Sequence, residues 1–134
     1  MEDNCAFCKI VRKEIPADLV YEDEEFMGFL DIKPLTKGNA LVIPKIHYRW
    51  VYDVPNFGEY FEVAKKIGLA IRKAFGAEWI SFVTLGLEVP HAHIRVIPRY
   101  KNDLHGPLVD IEKFENFSDD EMEEIAEKIK NELG

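Results

Sequence analysis

The chain has no apolar run that approaches membrane-spanning length. Its opening residues, MEDNCAFCKI, hold neither a basic stretch nor the apolar core of a secretion signal. A cytoplasmic setting is the expectation. Positive charge is not in excess either, since 17 basic residues face 25 acidic ones for a formal net charge of −8. Ten of those acids, against three lysines, fall between Asp110 and Gly134, which leaves the remainder close to neutral. That argues against an extended nucleic-acid-binding surface while leaving room for a local phosphate pocket. Repeats and low-complexity linkers are absent. A length of 134 residues suits a single domain, 1–134, with an acidic C-terminal segment over 110–134.

Cysteine is scarce: Cys5 and Cys8 are the only two, separated by two residues near the start. A disulfide is disfavoured in a reducing compartment, and redox chemistry needs a partnering fold that the pattern does not supply. Two metal ligands are the third use, and they need two more from elsewhere.

What the chain does contain is a core. Hydrophobic residues make up 47 %, with nine Phe, five Tyr and two Trp, a composition for packing rather than disorder. Asn4 is placed to cap a short helix through CAFCKIVRK, which ends before Pro16. DLVYED and EFMGFLDI read as two strands about a charged turn, and ALVIP as a third after the PLTKGN loop. From Phe57 to Phe75 apolar residues recur at three and four, the mark of an amphipathic helix that Gly76 is placed to end. WISFVTL and VPHAHIRVIP read as two further strands. In SDDEMEEIAEKIKNELG, Ser118 and Glu121 form a capping box ahead of an apolar stripe of Met122, Ile125, Ala126, Ile129 and Leu133. Short connections between successive strands predict an α+β fold: an antiparallel five-stranded sheet with one long helix packed on it, a short N-terminal helix and a C-terminal helix.

Histidine is nearly as rare as cysteine, four in all, yet two of the four stand at alternate positions in PHAHIRVIP. On a strand, His91, His93 and Arg95 point to one face and Ala92, Ile94 and Val96 to the other. Bare burial of each imidazole costs on the order of 1–3 kcal/mol. A third, cationic side chain beside them makes an apolar-core reading worse. Such a face suits an anion, and phosphate is the obvious candidate.

With these residues in place, the chain resembles the histidine triad (HIT) family over nearly its whole length up to about Tyr100. The resemblance rests on CAFCKIVRKEIPADLVYEDEEFMGFLDIKPLTKGNALVIPKIHY and on GLEVPHAHIRVIPRY. The family signature is His-φ-His-φ-His-φ-φ, with φ apolar, and HAHIRVI meets it everywhere except at the third histidine. The resemblance implies a two-fold dimer that binds nucleotides and acts at the α-phosphate. In it, His93 is the nucleophile, forming a covalent nucleotidyl-imidazole. Asp31 is the acid that bonds the ribose hydroxyls, and Phe7, Ile10 and Phe29 sandwich the base. Some members also bind structural zinc, through positions matched here by Cys5, Cys8, His47 and His91. His105 is left as an exposed residue without a role.

The departures from the family pattern lie at the phosphate. Arg95 replaces the third histidine; it can clamp phosphate oxygens but cannot cycle a proton. Asn39 stands where many members have a histidine near the active site, and Glu88 where some have a serine that touches the phosphate. Asn39 and Glu88 are therefore counted with the nucleotide-binding positions. The leading expectation is a nucleotide hydrolase or nucleotidyl transferase, a nucleoside phosphoramidase or dinucleoside polyphosphate hydrolase, with His93 and Arg95 as catalytic pair. The alternative is a catalytically impaired, zinc-braced nucleotide- or phosphate-binding module.

Overall fold

The computed structural model of the protein describes residues 4–134. Helix α1 (Ala6–Val11) is followed by strands β1 (Leu19–Glu22), β2 (Phe26–Leu30) and β3 (Ala40–Pro44). A 3-10 turn (Val51–Asp53) then leads into the long helix α2 (Phe57–Phe75), strands β4 (Trp79–Val83) and β5 (Ile94–Arg99), and helix α3 (Asp119–Leu133). Every strand pairing is antiparallel, in the order β1-β2-β3-β5-β4. The predicted α+β class and five-stranded sheet are thus what the chain forms. Among the described residues no helix is long and apolar enough to cross a membrane.

Side-chain alternation divides the sheet into two faces. Leu30, Ala40, Val42, Ala92, Ile94 and Val96 enter the main core beneath α2 and α3. Met27, Phe29, Leu41 and Ile43 enter a smaller one with Cys5, Phe7 and Cys8. Helix α2 lies close to the sheet because Gly28 has no side chain; a Cβ there would stand 2.6 Å from Ile67. The helix stops where Gly76 turns left-handed at φ 68°, a conformation that costs glycine little. In α3 the capping box of Ser118 and Glu121 is present, and Met122, Ile125, Ala126 and Ile129 are buried in the main core. The C-terminal helix therefore packs on its own chain, turning its acids to solvent.

Three expectations change. The N-cap of α1 is Cys5, whose sulfur accepts from the Cys8 amide, rather than Asn4. Strand β5 begins only at Ile94, so His91 and His93 precede it. Their alternation survives because the His91 and Ala92 amides bond to the Val89 and Tyr48 carbonyls, holding the segment outside the ladder. And His105 is not idle: its Nε2 donates to the Leu35 carbonyl (3.0 Å) while its Nδ1 accepts from the Asp110 amide (2.9 Å).

Asn39 is also placed differently. It is fully buried, and its side chain is spent on backbone: Oδ1 accepts from Leu35 (2.9 Å), and Nδ2 donates to the carbonyls of Ala40 and Val96 (both 3.2 Å). Its own carbonyl takes the Asp31 amide at 3.0 Å. Asn39 thus shapes the β2–β3 loop instead of facing a ligand. Asn39→Ala leaves a buried amide and two carbonyls without those partners, and is expected to cost about 1–3 kcal/mol, measured by urea denaturation.

Candidate active site and metal centre

The smaller core face opens into a cavity of about 620 Å³, a size that takes a nucleotide-sized ligand. Phe7, Ile10 and Phe29 form an apolar wall, with Phe7 meeting Phe29 edge to face at 5.6 Å between centroids. Asp31, Glu88, His93 and Arg95 supply the polar end. Strand register explains part of this: Phe29 pairs with Leu41 and Leu41 with Arg95, which places the three in a row across β2, β3 and β5. Of the sequence-predicted nucleotide-binding positions, only Asn39 is missing from the lining.

His93 is 3 % exposed, and its Nδ1–H donates to the His91 carbonyl at 2.8 Å. That bond settles the tautomer and leaves Nε2 with the lone pair. Burial pushes the imidazole below its ordinary value, the His91 carbonyl pulls the other way, and the charge of Arg95 adds to the fall. The ring is neutral at neutral pH. Asp31 accepts the Lys33 amide on Oδ1 (2.9 Å) and faces Arg95 across 3.8 Å with Oδ2. Burial raises its carboxyl, against the Lys33 amide and Arg95, which lower it.

Arg95 has a side chain only 12 % exposed, yet its nearest carboxylates, Asp31 and the exposed Glu88, both stand 3.8 Å away. That is beyond hydrogen-bonding reach. Among the described residues its Nε is the only buried side-chain nitrogen or oxygen without a partner. A buried guanidinium left this way is an anion site waiting for oxygen acceptors.

Behind His93, the chain assembles Cys5, Cys8, His47 and His91, with one ligand atom from each all within 4.8 Å of one another. His91 Nδ1 lies 3.4 Å from Cys5 Sγ and 3.5 Å from Cys8 Sγ, and His47 Nδ1 lies 3.3 Å from Cys8 Sγ. Tetrahedral coordination at zinc–sulfur and zinc–nitrogen bond lengths puts adjacent S and N about 3.5 Å apart. The donor set therefore fits a tetrahedral metal. His91 Nε2 donates to the Pro44 carbonyl at 2.8 Å, which frees Nδ1 for an ion. Both cysteines are buried and free of disulfides.

The HIT domain family model matches residues 12–102, a span that holds His47, His91, His93 and Arg95. The chain belongs to the HIT family. This is a family of nucleotide-binding hydrolases and transferases. An uncharacterised HIT-like protein of Methanocaldococcus jannaschii is 38 % identical over 94 % of this chain and 98 % of its own length. The adenosine 5′-monophosphoramidase HNT1 of Saccharomyces cerevisiae is 34 % identical, over 71 % of this chain and 62 % of its own. A zinc-bound histidine triad family protein from Mycobacterium smegmatis superposes with a TM-score of 0.79 at 31 % identity, covering 97 % and 93 % of the two chains.

Sequence reasoning missed one wall of the HIT cavity. Ile111, Glu112 and Phe114, from the acidic segment, also line it. The segment is held by the Glu115 amide on the Pro34 carbonyl, by His105, and by Arg99. Arg99 is buried, grips Asp103 through Nε and Nη2, and donates to the carbonyls of Gly106 and Pro107. Burial would raise the Asp103 carboxyl, but Arg99 and the amides of Tyr100 and His105 bring it down to about 2. The available signal was the apolar triplet Ile111, Phe114 and Phe117 at three-residue spacing within a polar stretch. For the metal quartet, Cys8→Ser is expected to lose the ion and lower Tm by roughly 10 °C or more. Elemental analysis and thermal denaturation of metal-loaded protein check both.

Proposed function

We propose that the protein is a nucleotide hydrolase or nucleotidyl transferase working at the α-phosphate, of the nucleoside phosphoramidase or dinucleoside polyphosphate hydrolase kind. The observation that carries the reading is His93, buried in the cavity wall, neutral, with Nδ1–H committed to the His91 carbonyl. A ring prepared in that way presents Nε2 as a nucleophile toward phosphorus. The base enters between Phe7, Ile10 and Phe29, and its ribose hydroxyls bond to Asp31, whose carboxylate can accept from a vicinal diol. Arg95 takes the phosphate oxygens. Glu88, exposed beside Arg95, completes the ligand-facing set. The same cavity serves the alternative reading, a nucleotide-binding module without turnover. Formation of a covalent adduct separates the two.

Cys5, Cys8, His47 and His91 hold a structural zinc in this reading, supported by donor separations that fit a tetrahedron. When bound, the ion would brace the segment that carries His93 and leave no coordination position open for chemistry. Buried thiols kept as metal ligands suit a reducing, cytoplasmic compartment. A homodimer is supported by the edge position of β4 and by exposed apolar side chains on β4 and α2: Phe82 at 44 % and Leu69 at 54 %. An apolar sheet edge of this kind is a template for pairing. Light scattering is expected to give twice the chain mass, and Leu69→Lys is expected to shift the protein toward monomer.

Mass spectrometry of protein quenched during turnover is expected to find one nucleotidyl group on His93. His93→Ala is expected to remove it and lower kcat by at least about 10³-fold. The neutral ring is the active form, so activity is present above the His93 pKa and lost as pH falls through it. Burial depresses that pKa, so the acid limb of kcat/KM is expected on the acid side of the ordinary imidazole value of about 6.5. A limb centred at or above pH 7 would contradict the assignment.

A further inference from the structure

We infer that this HIT protein is selective for the leaving group: it releases groups that depart as stable anions and discriminates against amines. The inference rests on the covalent reading of His93 and deepens it.

Breaking a P–N bond to an amine requires that the nitrogen take up a proton. A sulfate, phosphate or carboxylate leaves with its electron pair alone. No second imidazole stands beside His93 to pass a proton to the leaving group; of the other ionisable groups in the cavity lining, Lys33 lies over the Phe114 ring (Nζ 5.7 Å from its centroid) and Glu112 belongs to the same wall as Phe114. Among the described residues His93 is the only imidazole in the lining, and its one N–H is held by a backbone carbonyl. Arg95, two residues further along the same face, carries a guanidinium that stays charged at any accessible pH and cannot give up a proton. Asp31 has one oxygen on the Lys33 amide and the other toward the guanidinium, and in the proposed reading it serves the ribose rather than the leaving group. Glu88 is largely exposed, with a side chain 73 % accessible, and stands 3.8 Å from the guanidinium. What the site does offer is fixed positive charge, with a buried Nε that no protein acceptor satisfies.

The chemistry follows without any proton transfer in its first step. The Nε2 lone pair of His93 forms the N–P bond while the bond from phosphorus to the bridging oxygen breaks. That oxygen keeps the electron pair and leaves as an anion, stabilised by Arg95. In the second step a water oxygen bonds to phosphorus, the P–N bond breaks with its pair returning to Nε2, and the water's proton passes to solvent. The substrate class is therefore nucleotidyl anhydrides whose second half departs as a stable oxyanion.

The natural protein tests this directly. We would measure kcat/KM for an adenylyl sulfate anhydride, a dinucleoside polyphosphate and adenosine 5′-phosphoramidate. A series of 5′-aryl esters of AMP with phenols of graded acidity would run beside them. The anhydrides are expected to exceed the phosphoramidate by about 10²–10⁴-fold, the range that general-acid help is worth. The aryl series is expected to slow steeply as the phenol becomes less acidic. In Arg95→His the phosphoramidate is expected to gain at least tenfold, the aryl slope to flatten, and a basic limb to enter the pH profile. In Arg95→Gln the anhydrides are expected to fall at least tenfold with no gain on the phosphoramidate. Phosphoramidate turnover by the natural protein within tenfold of the anhydrides, with a His93 adduct present, overturns the selectivity and leaves the nucleophile standing. Absence of both turnover and adduct on every substrate overturns the two together.

Discussion

His91 is the residue on which the site turns. Its Nε2 is anchored to the Pro44 carbonyl at the end of β3 and its Nδ1 sits among the sulfurs of Cys5 and Cys8. Its own carbonyl then takes the Nδ1–H of His93. One residue thus joins the N-terminal helix, the sheet and the reactive ring, with both of its side-chain nitrogens occupied. Burial pushes the His91 imidazole down to about 4, so the ring stays neutral, the form that can both donate from Nε2 and present a lone pair at Nδ1. Disturbing the quartet therefore loosens the backbone that orients His93, with no need for contact between a metal and any ligand in the cavity.

Charge is distributed in the cavity as deliberately as shape. Arg95 stands between two carboxylates that are near enough to offset its charge and too far to satisfy its hydrogen bonds. A guanidinium locked bidentately to Asp31 would have left neither group free to meet a ligand in the cavity. At 3.8 Å neither group is committed to the other, and both face the cavity. The apolar wall of Phe7 and Phe29 lowers the local dielectric, which strengthens the hold of Arg95 on an incoming anion.

The acidic C-terminal region does two jobs that its composition conceals. Its helix covers the main core, and the preceding segment returns to close the cavity with Ile111, Glu112 and Phe114. That segment has no regular structure of its own. It depends on point attachments: the buried Arg99–Asp103 pair, and His105 bridging Leu35 and Asp110.

The sequence by itself determined the periodic elements and the facing of the motif. The three- and four-residue spacing of α2, the capping box of α3, and the alternation that turns His91, His93 and Arg95 away from Ala92, Ile94 and Val96 are all local patterns. Local patterns are readable because the backbone geometry that imposes them spans only a few residues. The family resemblance added which cysteines and histidines belong together. Tertiary structure alone decided the rest. Cys5 and His91 lie 86 residues apart in sequence, and nothing near either one announces the other. Asn39 is polar and loop-borne, so it reads as ligand-facing until the buried amide and carbonyls around it claim its side chain. The cavity wall from 111 to 114 was hidden for the same reason. Its apolar residues meet their partners across the whole fold, through contacts that exist only once the sheet and its loops are in place.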